Sequence, residues 1–177
     1  MGAIRTRPYR PEVRLRWDPS PWGEPARHLD IVAATYTADA PHGAPVYIVH
    51  SESRSPDGTI SMPRHSETGL GLGFVEVMDL ELDRLAPSYA RVVVGVMIHQ
   101  EAGPRTFGDI AHAGVVVVEH YAELLADDFT QVAGATAATV AEFVRDGAGR
   151  WEMHELIRGF DSGPAAFPYE MGSAARG

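Results

Sequence analysis

The sequence predicts an all-β fold, a β-sandwich with short helical turns. Three observations predict it: apolar segments are short and recur at regular spacing, turns rich in Pro, Gly and Asp separate them, and few stretches have the apolar period of a helix. Two packed sheets that bury one core are the usual solution for such a chain, and the connecting loops then gather at the two ends of the sandwich.

The amino-terminal part of the chain predicts three strands. Val13, Leu15 and Trp17 alternate with arginines, which is the period of a half-buried strand, and the prolines that follow end it. An apolar strand is predicted over residues 29–37, and a Pro-His-Gly turn leads from it to a third strand over residues 45–50. This succession of short strands and turns already favours an all-β arrangement.

The middle of the chain continues this pattern. A short strand is predicted at 59–62, and the apolar and acidic residues that interleave over 75–82 predict a strand with one face in water. The apolar runs at 91–99 and 114–119 predict further strands, and the first is continuous enough to be buried on both faces. Between them, residues 107–112 predict a short helical turn or a loop.

The carboxyl-terminal part contains the most ambiguous segment. Alanines and apolar residues at helical spacing before residue 145 favour a helix by propensity alone. The Gly-Ala-Gly turn that follows and the strand-like pattern of 150–156 favour a hairpin instead, so we predict a strand for 139–145. The predicted organisation is a flexible Arg/Pro-rich arm (1–11), one domain (12–162) and a loosely held tail (163–177).

Length and composition exclude several classes of protein. A chain of 177 residues that is 45% apolar can form one domain with a sizeable core. It contains no apolar run of about 18 residues and no standard secretory signal, so we expect no membrane span and a cytoplasmic location. The absence of cysteine excludes disulfides, thiolate metal ligands and a cysteine nucleophile.

The charge distribution indicates which kinds of partner the chain can attract. The net charge is −9, and all 15 basic residues are arginines, several of them in the amino-terminal arm. An acidic domain repels phosphate backbones and attracts cations or basic partners, so nucleic acid is not an expected partner. We interpret the arm itself as a solvated tail.

One loop, residues 55–73, is the most informative stretch. It begins with Ser-Pro-Asp-Gly, a turn in which the proline presets φ and the glycine accepts a positive φ. It ends with Gly69, Gly71 and Gly73, whose backbone can bend tightly and expose amides and carbonyls to a ligand. We therefore expect a ligand or partner at this end of the molecule.

The same loop resembles the TerD family of bacterial tellurite-resistance and stress proteins. The resemblance rests on Ser-Pro-Asp-Gly at 55–58, Thr-Gly-Leu-Gly-Leu-Gly at 68–73 and the acidic strand that follows, and it extends over about residues 12–160. Further matches are Arg-Leu-Arg-Trp-Asp18, Leu29-Asp30, Phe107-Gly108 and Gly149-Arg-Trp151. The resemblance implies a β-sandwich, a strand at 139–145 and a role in stress response associated with calcium.

The carboxylates that the family associates with calcium are mostly replaced here. The family's Gly-Asp-Asn step falls on Arg-His-Ser at 64–66, and its Asp-x-Asp-Leu-Asp falls on 26–30, where only Asp30 is acidic. Calcium prefers six to eight oxygen ligands, several of them carboxylates, so we expect calcium binding to be reduced or lost. The predicted ligands of a residual calcium site are Asp18, Asp30, Asp57 and Glu76.

Apolar residues stand where the family loop is acidic, at Leu70, Leu72, Phe74 and Val75. Two outcomes are open. The loop folds back and buries these side chains, which we favour, or Leu70, Leu72 and Phe74 stay exposed and form a surface for a protein partner.

The histidines offer an alternative chemistry. His50 and His99 each end an apolar strand and are interpreted as hydrogen-bonded structural residues, whereas His65 replaces a family acidic position with an imidazole suited to Zn²⁺ or Ni²⁺. The leading hypothesis is a non-catalytic ligand- or partner-binding module. The alternatives are a calcium-binding protein with a residual site and a metal-dependent hydrolase that uses His65, Glu76 and a neighbouring carboxylate.

Overall fold

The structure is a computed structural model that describes residues 9–173, and its ten strands form two five-stranded antiparallel sheets. The strands are β1 (Pro11–Arg16), β2 (Leu29–Thr37), β3 (Tyr47–Val49), β4 (Ile60–Arg64), β5 (Glu76–Leu80), β6 (Tyr89–Ile98), β7 (Gly114–Glu119), β8 (Ala122–Asp127), β9 (Ala137–Arg145) and β10 (Trp151–Phe160). One sheet has the order β4-β5-β1-β7-β8 and the other has the order β10-β9-β6-β2-β3. The predicted all-β sandwich is confirmed.

The helical elements are short, as the sequence predicted. Three single-turn 3₁₀ helices (Leu82–Arg84, Phe107–Asp109 and Thr130–Val132) lie between strands, and one turn of α-helix, α1 (Phe167–Glu170), follows β10. None of the helices among residues 9–173 has the length and apolar character needed to cross a bilayer.

Strand β2 shows how this sandwich uses both faces of one sheet. Leu29 and Ile31 point into the core between the sheets, and Val32, Ala34 and Tyr36 form a second buried cluster on the opposite face. Its neighbour β6 alternates in the same way and is buried throughout its apolar run, which confirms the prediction for 91–99.

The second cluster is covered by the carboxyl-terminal segment. Phe167 and Met171 are fully buried there, and the Phe167 ring packs edge-to-face on Phe160 with 5.2 Å between centroids. Gly95 of β6 makes room for this ring, because a Cβ atom at that position would lie 2.8 Å from Phe167 Cζ. The expectation of a loosely held tail is therefore wrong for residues 163–173, and residues 174–177 lie outside the described part.

Other segments refine the sequence predictions. The ambiguous segment 139–145 is a strand, as predicted, and β9 pairs with β6 on one side and β10 on the other. The predicted arm is described only from residue 9, where Tyr9 is buried, and β1 begins at Pro11. In β5 the acidic residue Glu76 does not face water but is fully buried.

One end of the sandwich collects the segments that matter for function. Strand β3 pairs only with residues 33–35 of β2, so the first residues of β2 are not paired with it. A side chain of the other sheet replaces the missing strand at this edge of β2. The Glu76 side chain of β5 accepts a hydrogen bond from the Ile31 amide at 2.6 Å. The ends of β4 and β6 lie at the same end, since His65 follows β4 and His99 follows β6.

Candidate functional site

The centre of the site is the buried carboxylate of Asp30, whose side chain is 1% exposed. Its Oδ2 atom accepts a hydrogen bond from Ser51 Oγ at 3.1 Å and lies 2.8 Å from Nε2 of His99. Its Oδ1 atom is buried without a hydrogen bond to any described residue. Two imidazole nitrogens, His28 Nε2 and His65 Nδ1, each lie 3.5 Å from Oδ1.

A second buried carboxyl group, that of Glu76, lies beside Asp30. Its Oε1 is bonded to the Ile31 amide, and its Oε2 is 3.2 Å from His65 Nδ1. Burial, together with the negative charge of Asp30, raises the pKa of Glu76 to about 9, so this group holds a proton at neutral pH. Burial opposes ionisation of Asp30 as well, but the neighbouring imidazoles of His28 and His99 outweigh that effect and hold its pKa well below the usual value.

Two of the imidazoles stack on each other. The rings of His28 and His99 are 3.9 Å apart and nearly parallel, and the His99 amide donates to the His28 carbonyl at 2.8 Å. Burial lowers the pKa of His28, but the nearby carboxylates, Asp30 first among them, prevail and raise it. Like Asp30 Oδ1, the Nε2 atom of His28 is buried without a hydrogen-bond partner in the described chain.

These side chains form two overlapping sets of metal-ligand type within the described residues. One set is His28, Asp30 and His99, and the other is Asp30, His65 and Glu76. In each set the candidate ligand atoms all lie within 4.8 Å of one another. A cleft of about 540 Å³ opens next to them, lined in part by Asp30, His50 and His99 and by Pro164 and Ala165 of the carboxyl-terminal segment.

The structure separates the four carboxylates predicted to hold residual calcium. It brings Asp30 and Glu76 together, but Asp57 Oδ1 is engaged in its own turn, where it accepts from the amide and hydroxyl of Thr59. Asp18 is exposed and pairs with His112 at 2.6 Å. Neither Asp57 nor Asp18 belongs to the two donor sets.

Sequence reasoning assigned no ligand role to His28 and interpreted His99 as structural. His28 and Asp30 are two positions apart on an extended chain, so their side chains lie on the same face. The antiparallel register of β2 with β6 then places His99 opposite His28. The i, i+2 spacing of His28 and Asp30 was visible in the sequence, but the pairing of β2 with β6 was not.

The donor set does not fit calcium. It consists of three imidazoles and two carboxyl groups, one of which is protonated at neutral pH in the free protein. Calcium takes six to eight oxygen ligands and has little use for neutral nitrogen donors. Imidazole nitrogens instead suit borderline divalent transition metals.

The glycine loop, which we define as residues 69–73, is exposed at its tip. Leu70 and Leu72 are 69% and 95% exposed, so the expectation that the loop buries them is wrong for these two residues. Phe74 is half-buried near the Arg16 guanidinium, and Val75 is buried. The loop needs glycine at its start, because Gly69 has φ +82° and a Cβ atom there would lie 2.6 Å from the Trp17 indole nitrogen.

The fold and the site together define a class of protein: an antiparallel two-sheet sandwich with a polar, ligand-type site at the end where a glycine-rich loop lies. The TerD domain model matches residues 9–168. The chain therefore belongs to the TerD family, as its sequence motifs implied.

Individual relatives agree with this assignment. The chain is 63% identical to a crystallised homologue of the telluride resistance protein TerD from Streptomyces coelicolor A3(2), with a TM-score of 0.93 over 96% of this chain and 100% of that chain. It is 52% identical to SAV2460, a crystallised protein of unknown function, with a TM-score of 0.93 over 95% of this chain and 99% of that one.

The matches to two more distant relatives cover most of the length of each relative. The tellurium resistance protein TerD of Alcaligenes sp is 26% identical over 165 residues, which cover 90% of this chain and 85% of the relative. The uncharacterised protein YceE of Bacillus subtilis is 27% identical over 162 residues, which cover 87% and 83% respectively.

Proposed function

We propose that this chain is a non-catalytic binding module of the TerD family in which calcium binding is reduced or lost. The observation that carries the proposal is the fate of the four predicted calcium ligands. Only Asp30 and Glu76 meet, and imidazoles surround them, while Asp18 and Asp57 are engaged elsewhere. The chain keeps a ligand-type site at this end of the sandwich without the oxygen cage that calcium requires.

A thermal melt tests the loss of calcium binding. A ligand that binds only the native state stabilises it by about 2.7 kcal/mol at a hundredfold excess over Kd, which corresponds to several degrees in Tm for a chain of this size. We expect protein stripped of metal with a chelator to melt at the same temperature with and without millimolar calcium. A rise of several degrees at micromolar calcium contradicts the proposal and favours a residual calcium site.

The exposed tip of the glycine loop supports binding of a protein partner. Leu70 and Leu72 place two large apolar side chains in water at the tip of one loop, and neighbouring exposed apolar side chains are typical of an interaction surface. We expect Leu72→Asp to abolish any specific complex while leaving the melting temperature unchanged. Tyr121→Asp is the matched control, because Tyr121 is also fully exposed but lies in the connection between β7 and β8.

A metal-dependent hydrolase is the second candidate, and one observation favours it. His65, Glu76 and Asp30 converge within 4.8 Å, and a cleft opens beside Asp30. A general acid or base in such a site requires a group whose pKa lies near the working pH. A screen of ester and phosphoester substrates distinguishes the candidates: turnover that disappears in Glu76→Gln favours the hydrolase, and no turnover favours the binding module.

A further inference from the structure

The two unpartnered buried atoms at the site face each other. Asp30 Oδ1 and His28 Nε2 lie 3.5 Å apart, and neither makes a hydrogen bond within the described chain. Buried polar atoms are nearly always satisfied, and an orphaned carboxylate oxygen is among the most costly to leave without a partner. The two atoms make only a 3.5 Å ion-pair contact with each other, and both are of metal-ligand type, so a bound cation is a species that would complete Asp30 Oδ1.

The spacing around Asp30 Oδ1 matches that of donors around one small cation. His28 Nε2 and His65 Nδ1 each lie 3.5 Å from this oxygen, and Glu76 Oε2 lies 3.2 Å from His65 Nδ1. Donors at about 2.0–2.2 Å from a tetrahedral Zn²⁺ are about 3.3–3.6 Å from one another. Asp30, His65 and Glu76 form a set whose ligand atoms all lie within 4.8 Å of one another, so these three side chains can share one ion.

The geometry points to a binding site for a borderline divalent transition-metal ion, of which Zn²⁺ is the probe, with Asp30, His65 and Glu76 as the donors. The inference rests on the proposed function, because it names the ligand of the site that has lost its calcium chemistry. Imidazole and carboxylate together select such metals, whereas calcium and magnesium need oxygen cages.

The surroundings of Asp30 are those of an oriented metal ligand. Its second oxygen, Oδ2, is held by His99 and Ser51, so the carboxylate presents Oδ1 in a fixed direction. Such outer partners position a ligand, and their loss lowers metal affinity by about 10–100-fold. His99 is therefore a positioning residue, and His28 is stacked on its ring and is held in place by that contact.

The site also has the charge and the access that a cation needs. Asp30 and Glu76 supply two carboxyl groups, and His65 adds an imidazole nitrogen. The side chain of His65 is 29% exposed and that of His99 is 21% exposed, and the cleft beside Asp30 gives an entry path.

The test is metal uptake by the full-length chain, prepared without a histidine tag, stripped with a chelator and desalted. After incubation with Zn²⁺ and gel filtration, we expect about one bound ion per chain by elemental analysis. We also expect a rise in Tm of about 5–10 °C at a hundredfold excess over Kd. Calcium at the same concentration is expected to produce neither effect.

Variants locate the ion. His65→Ala removes a partly exposed ligand and is expected to raise the Kd for Zn²⁺ at least tenfold, and Asp30→Asn is expected to abolish stoichiometric uptake. His154→Ala is the matched control, because His154 also lies within 4 Å of two carboxylates, Glu142 and Glu152, but outside the donor sets. Circular dichroism confirms folding, and if Asp30→Asn does not fold, His65→Ala alone decides the question.

The outcomes separate this inference from the proposed function. Uptake of Zn²⁺ that falls in His65→Ala and persists in His154→Ala supports the site. No uptake, or uptake that His65→Ala leaves unchanged, overturns the inference, and the proposed loss of calcium binding then still stands if calcium has no effect. A stabilising response to calcium overturns the proposed function whatever Zn²⁺ does.

Discussion

Phe167→Ala is the sharpest test of how the carboxyl-terminal segment contributes to this fold. The ring is fully buried between Phe160 and the backbone at Gly95, so its removal leaves a cavity that the rigid sheet beneath cannot fill. Substitutions of this type cost about 3–5 kcal/mol. For a domain of this size that corresponds to a fall in Tm of roughly 10 °C, measured by calorimetry on the metal-free protein.

A control and a second variant make the result specific. Tyr169 lies in the same helical turn but is 66% exposed, so Tyr169→Ala is expected to change the free energy of unfolding by less than about 0.5 kcal/mol. Gly95→Ala places a Cβ atom 2.7 Å from the Ala138 carbonyl and 2.8 Å from the Phe167 ring, so this substitution alone is expected to destabilise the fold. The double variant with Phe167→Ala is expected to lose less free energy of unfolding than the sum of the two single losses, because the clash with the ring is then absent. If Phe167→Ala melts like the wild type, the segment is not docked on the sheet and the account of the second core cluster is wrong.

Three further predictions concern the loop, the hairpin and the site. Gly69→Ala forces a side chain into a positive φ against the Trp17 indole, so we expect a loss of about 2 kcal/mol or more by urea denaturation and a change in tryptophan fluorescence. Thr139→Val removes the hydroxyl that donates to the Leu156 carbonyl at 2.6 Å, and the stranded buried carbonyl is expected to cost about 1–3 kcal/mol in the same assay. Burial raises the pKa of Glu76 from 4.5 to about 9, so the folded metal-free chain keeps a proton that the unfolded chain releases, and its free energy of unfolding falls as pH rises through that window. Glu76→Gln is expected to flatten this slope in urea titrations with chelator present, and an unchanged slope would show that Glu76 is ionised in the folded chain.

The sequence predicted the fold well because local pattern and tertiary context mostly agree. The exception is instructive: β9 has the composition of a helix, but it lies between β6 and β10, where pairing on both sides outweighs an intrinsic preference of a few tenths of a kcal/mol per residue. The tail was harder to predict, because Phe167 and Met171 are isolated apolar residues in a segment rich in small residues. The packing position of the Phe167 ring depends on the missing side chain at Gly95, which is a feature of the folded sheet.

The site was predictable only in part for a related reason. Asp30, Glu76 and His65 stood out because they occupy positions where the family has, or would have, a carboxylate. Their meeting depends on the approach of β5 to the edge of β2, which no local pattern encodes. The separation of Asp57 has a local cause, because its carboxylate accepts from the amide and hydroxyl of Thr59 within the same turn.

The electrostatics of the site explain how such a scaffold can exchange one ligand chemistry for another without losing its fold. Two buried carboxylates side by side would repel each other and would need a cation to remain ionised. Here Asp30 is balanced by the imidazoles of His28 and His99, and Glu76 takes up a proton and accepts a hydrogen bond from the Ile31 amide, so the metal-free end carries little uncompensated charge. Metal binding is then optional for folding, and the stripped protein is expected to keep a cooperative thermal transition. A chain that unfolds when the chelator is added would show that the imidazoles do not provide this compensation.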